Sequence, residues 1–106
     1  MTSRQKLMAM HQNLCQTARE LMIKKNEDYA TDANPFANFD RVSHMGICST
    51  FEGFLVRMTD KLSRLSSYAK RGTFSVADEQ LKDTCIDLIN YTILLYAWEL
   101  AQVDDS

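Results

Sequence analysis

Turn formers are scarce in this chain. Its 106 residues contain one proline, Pro35, and three glycines, Gly46, Gly53 and Gly72, so both ends run unbroken. Cysteine is scarce too, and odd in number. Cys15, Cys48 and Cys85 lie far apart among apolar or small residues, which excludes a disulfide framework and predicts reduced core thiols in a cytoplasmic protein. Long apolar runs are missing. The stretch Tyr91 to Leu100 is interrupted by Thr92 and Glu99 and falls far short of the about 20 residues a bilayer span requires, so no membrane partner is expected. The opening MTSRQKLMAM has neither the apolar core nor the cleavage site of a secretory signal, and export has no support. An excess of one charge sign is lacking as well: 12 Lys plus Arg against 14 Asp plus Glu leave a net charge of −2. That balance argues against coating a nucleic acid polymer or an anionic membrane. Any basic site must be local.

What is present describes one ordinary domain, with 45% hydrophobic and 25% charged residues. A chain of this length buries roughly two thirds of the surface its unfolded form exposes, so it stands without structural metal. From Ser3 onward, Leu7, Met10, Leu14, Ala18 and Leu21 recur at helical spacing, predicting an amphipathic helix over about 3–26 with Thr2 or Ser3 as its cap. Asp32, Asn34, Pro35 and Asn38 favour turns, and residues 28–49 read as a loop followed by a short helix around Phe36 to Met45. Tyr29, Phe36 and Phe39 fall in that segment with few aliphatic neighbours. They need cover.

Ser49 and Glu52 form a capping-box pattern that opens a helix over about 50–70, stopped by Gly72. Phe51, Leu55, Met58, Leu62, Leu65 and Ala69 alternate steps of four and three, and this stripe is the expected core face. Arg57, Asp60 and Arg64 fall on the opposite side, with Lys61 at its edge. Ser75 with Asp78 opens a last helix, about 76–102. The expected fold is all-α, a single antiparallel bundle of about four helices.

The last helix is apolar on nearly every side between Leu81 and Leu100, yet Glu79, Asp83, Asp87 and Asn90 share one face of it at steps of four, four and three. Like charges one turn apart repel, so the row needs a partner. Two are available. Arg57, Lys61 and Arg64 of the preceding helix would pair with the acids in a salt-bridge network. Alternatively Asp60, Glu79, Asp83 and Asp87 would supply oxygens to Mg²⁺, with the bases facing phosphate.

The segments KNEDYA (Lys25 to Ala30), NPFANF (Asn34 to Phe39), RMTDKLSRL (Arg57 to Leu65) and DEQLKDTCIDLINY (Asp78 to Tyr91) occur in an order that resembles a phage and bacterial helical family, the nucleotide modification associated domain. That family is similar to the all-α NTP pyrophosphatases of the MazG type. The resemblance covers about Lys25 to Trp98 and implies a MazG-like fold, a nucleotide ligand, a Mg²⁺ site and release of pyrophosphate from a nucleoside triphosphate, in phage nucleotide metabolism. By position it implies Asp60, Asp83 and Asp87 as the catalytic acids and metal ligands, and Glu79 joins them at the metal through the shared face of the last helix. The substrate set that goes with it is Lys25, Tyr29, Phe36, Phe39, Arg57, Lys61, Arg64 and Asn90, in which the aromatics stack on a base and the cations hold phosphates. There is a departure: where MazG-type enzymes carry two glutamates one turn apart on the earlier helix, Asp60 is here followed by Arg64. A non-catalytic module that binds or sequesters a nucleotide is the alternative, and a helical homodimeric interaction protein is a further one. Action in the cytoplasm, the host's if the chain is phage-encoded, is expected. So is a homo-oligomer, a dimer or higher, because the last helix and six methionines offer more apolar surface than a short bundle buries.

Overall fold

The computed structural model of the chain describes residues 1–29, 34–73 and 80–104, the side chains of Asp28 and Tyr29 excepted. Its regular structure is helical: α1 (Ser3–Tyr29), α2 (Ala37–His44), α3 (Thr50–Arg71) and α4 (Leu81–Asp104). The all-α class and the small helical bundle are those expected. No described helix is long and apolar enough to cross a membrane.

Local chemistry sets the helix ends. Gln5 N–H donates to Thr2 Oγ1 at 3.1 Å while Thr2 N–H donates to Gln5 Oε1 at 2.8 Å, a reciprocal cap at the start of α1. The expected box at α3 forms in the same way, with Glu52 N–H on Ser49 Oγ at 3.1 Å and Ser49 N–H on Glu52 Oε1 at 3.2 Å. Gly72 closes α3 with φ of 78°, a left-handed conformation that costs glycine nothing, and its N–H donates to Tyr68 O at 2.7 Å. Asn34 Oδ1 accepts from Phe36 N–H at 3.0 Å, the turn that precedes α2. The Ser75 and Asp78 cap lies outside the described residues, and α4 is helical from Leu81.

α4 is the central element, packed on both α1 and α3, while α2 lies across α3. α3 and α4 are antiparallel: Phe51 meets Trp98 ring to ring at 6.5 Å, and ten residues on, Lys61 meets Asp87. α2 approaches α3 closely at Gly53, where a Cβ would stand 2.8 Å from Val42 Cγ2. The core is small. Phe39 of α2 stacks on Phe54 of α3 at 4.2 Å and meets Tyr91 of α4 edge-on at 6.2 Å, with Ala18 and Ile86 as the other fully buried apolar residues.

One expectation is overturned here. The stripe of α3 that faces the rest of the chain is Thr50, Phe54, Arg57, Lys61, Arg64 and Tyr68, none of them exposed. Phe51, Leu55, Leu62 and Ala69 of the expected core stripe are exposed instead. The helix is therefore turned by one residue, about 100°, from the orientation its apolar pattern suggests. The physical reason lies in the partners: α2 offers Phe39 to Phe54, and α4 offers Asp87 to Lys61. Nor is Cys15 a core thiol, since the N-terminal half of α1 projects and residues 1–13 are exposed throughout.

Asp40, in the first turn of α2, ties three elements together. Its Oδ1 accepts from Thr50 Oγ1 at 3.0 Å and Trp98 Nε1 at 3.3 Å, and its Oδ2 accepts from Asn34 Nδ2 at 3.3 Å. Asp40→Ala removes the acceptor from these donors, all three on half-buried or buried residues, and is expected to cost about 2–3 kcal/mol in urea unfolding. Wild-type stability in that variant would remove Asp40 from this role. A second outcome concerns acid: the bonds from the Ser49 side chain and backbone hold the Glu52 carboxyl below the usual glutamate range. The cap's contribution is thus full above that ordinary range and is lost as pH falls through the lowered value. Carbon-detected NMR titration should show the Glu52 midpoint rise in Ser49→Ala.

Candidate functional site

The acid row of α4 does not act as a unit, because each member meets a different neighbour. Asp83, exposed in the first turn, accepts from Gln80 N–H at 3.2 Å and so caps its own helix. Asp87, one turn further, is half-buried between α1 and α3. Lys61 Nζ lies 3.0 Å from its Oδ2 and Lys25 Nζ 3.5 Å from its Oδ1. Asp60 is on the exposed side of α3, its Oδ2 3.4 Å from Arg64 Nε. Glu79 lies outside the described residues.

As placed, these carboxylates do not fit a shared divalent ion. Asp60, Asp83 and Asp87 are engaged with a guanidinium, a backbone amide and two ammonium groups, whereas Mg²⁺ needs carboxylate oxygens turned onto one point. Among the described residues no three His, Cys, Asp or Glu side chains form a metal-ligand group.

Asp87 instead borders a cavity of about 140 Å³ to which all four helices or their flanks contribute. Lys25 and Met22 come from α1, Asn38 and Phe39 from α2, Arg57 from α3, and Asp87, Asn90 and Tyr91 from α4. Arg57 reaches its place through two contacts. Its guanidinium carbon sits 4.6 Å over the Phe39 ring, and its Nη2 donates to Asn38 O at 3.4 Å. Lys61 joins the site through Asp87, so two lysines hold the carboxylate and Arg57 adds a third cation to the cavity wall.

Asn90 completes the arrangement. It is 8% exposed, and its Nδ2 donates to Ala18 O at 3.0 Å, which orients the amide. Its Oδ1 is buried and has no hydrogen-bond partner. Buried acceptors are rarely left so, and an unsatisfied one costs about 1–3 kcal/mol. Asn90 lines the cavity.

Of the expected substrate residues, the structure brings Lys25, Phe39, Arg57, Lys61 and Asn90 together at Asp87. Phe39 is not a free stacking platform: it is 6% exposed, with Phe54 and the Arg57 guanidinium on its ring. Phe36 is half-buried at the cap position of α2, and Arg64 faces Asp60. The Tyr29 side chain lies outside the described residues. The sequence reading missed Asn26, whose Nδ2 donates to Pro35 O at 3.0 Å and pins the segment before α2 to α1. It also missed Asn38 and Tyr91 as cavity residues. Tyr91 follows Asn90 on the same helix, but an aromatic in an apolar run carries no sign that separates a cavity wall from a core.

Replacing Asp87 with alanine leaves Lys61 half-buried and without its anion. The expected cost is about 1–3 kcal/mol at low salt, smaller at high salt where the two ammonium groups are screened from each other. Urea unfolding at two ionic strengths checks it, and equal stability in both would deny Asp87 its place between the cations.

Comparison of the chain with known protein families, with curated proteins and with solved structures found no match.

Proposed function

We propose that the cleft at Asp87 binds the anionic part of a nucleotide or nucleotide-like small molecule, and that the protein is a nucleotide-binding module. The observation that carries this reading is the pair Lys25 and Lys61 on the single carboxylate of Asp87, with Arg57 on the wall of the same cavity, which Asn90 also lines. Two positive charges in excess favour an anion, and hydrogen bonds from ammonium or guanidinium to phosphate are about twice as strong as neutral ones. The unpaired Asn90 Oδ1 asks for a donor, such as an N–H of a base or an O–H of a sugar. The cavity, at about 140 Å³, is below the roughly 300 Å³ at which pockets enclose whole drug-sized ligands, so it suits one phosphoryl group or part of a nucleotide.

Hydrolysis through Mg²⁺ would need Asp60, Asp83 and Asp87 on one ion, and their separate partners favour binding over turnover. The same reading carries the cytoplasm, of a phage-infected cell if the chain is phage-encoded, as the place of action, and a homo-oligomer as the working assembly.

Thermal unfolding and titration calorimetry with the four dNTPs, their ribonucleotide counterparts and inorganic phosphate, each with and without Mg²⁺, test the proposal. At least one nucleotide should stabilise the fold, by about 2.7 kcal/mol at a hundred times its Kd, and Arg57→Gln should weaken it at least tenfold. No response to any of them would end the binding reading. Pyrophosphate release in the Mg²⁺ samples would restore the hydrolytic one.

A further inference from the structure

The chain exposes 7910 Å², where a folded monomer of 12.2 kDa exposes about 6,100 Å². Its radius of gyration is 16.0 Å against about 13 Å for a compact domain of this length. Part of the exposed surface is apolar in an ordered way. On α3, Phe51, Leu55 and Leu62 are exposed, Leu62 to 54%, with Met58 and Leu65 half-buried between them. These five residues hold alternating steps of four and three, the seam by which one helix packs along another. A second stripe runs up the C-terminal half of α4 through Ile93, Tyr96, Leu100 and Val103, all exposed. At 100° per residue it lies on the far side of α4 from Asp87.

From this we infer that a second copy of the chain packs on the outward seam of α3 in a two-fold homodimer. Charge identifies the occupant. A two-fold pairing uses the same patch on both copies, so one seam is sufficient. Charge agrees with an antiparallel pairing of the two α3 helices. The first turn of α3 carries Glu52 and its last turn Lys70 and Arg71, so each acidic end faces the basic end of the other copy. The one-residue turn of α3 then has its counterpart: the basic stripe faces Asp87 within the chain, and the apolar stripe is kept for the partner.

The inference deepens the homo-oligomeric part of the reading above and rests on it, while standing apart from the nucleotide part. Sedimentation velocity on the full chain at micromolar concentration should give twice the 12.2 kDa chain mass. Leu62→Glu should return it to the single-chain mass with its helical circular dichroism retained. Should that variant unfold, the double substitution Leu55→Ala and Leu62→Ala, which removes apolar contact without adding charge, should weaken dimerisation at least tenfold. A wild-type monomer would overturn both the assembly and the surface. A wild-type dimer unmoved by the alanine pair would overturn the surface alone, and neither result bears on nucleotide binding measured on the same samples.

Discussion

Asp87 is the point at which α1, α3 and α4 are held together by charge. It takes Lys25 from α1 on one side and Lys61 from α3 on the other, the two helices that pack on α4. A single cation partner would neutralise the half-buried carboxylate. With two, the local balance turns positive, and the arrangement that stabilises the bundle also makes its cleft attractive to an anion.

The orientation of α3 follows from that pairing. Lys61 can reach Asp87 only with the 50, 54, 57, 61, 64, 68 stripe inward, and this places Phe54 against Phe39 and Arg57 above the same ring. Asp40 secures the other end, accepting from Thr50 on α3 and Trp98 on α4. The molecule thus closes one side of α3 with aromatics and charge and leaves the other apolar side open. Burial within one chain is consequently modest, with four apolar residues buried among the described residues. A fold with so small a core draws much of its stability from specific polar contacts, and a cover over the outward stripe would add the burial it lacks.

The helix ends and the class of the fold were legible in the sequence. Thr2, the Ser49 and Glu52 pair and Gly72 act within three or four residues of themselves, so the chain needs no distant partner to express them. The site was legible in part. Lys25, Arg57, Lys61, Asp87 and Asn90 were singled out and lie together, whereas Asp60 and Asp83, grouped with them by helical spacing and by the resemblance, turn to other partners. Asp83 illustrates the reason: helical spacing puts it in line with Asp87, but at the first turn of α4 a free backbone amide at Gln80 is nearer than any cation.

By itself, then, the sequence determined where helices begin and stop and that they pack as a bundle, because caps, turn residues and periodicity are local. Only the tertiary structure decided which face of α3 looks inward. The stripes 50–54–57–61–64–68 and 51–55–58–62–65–69 have the same steps and differ by one residue, so periodicity alone has no means of choosing between them. The apolar content of the second makes it the natural core of an isolated helix. What reversed the choice was a charge on α4 and a ring on α2, 26 residues after Lys61 and 15 before Phe54, whose positions in space no local rule contains.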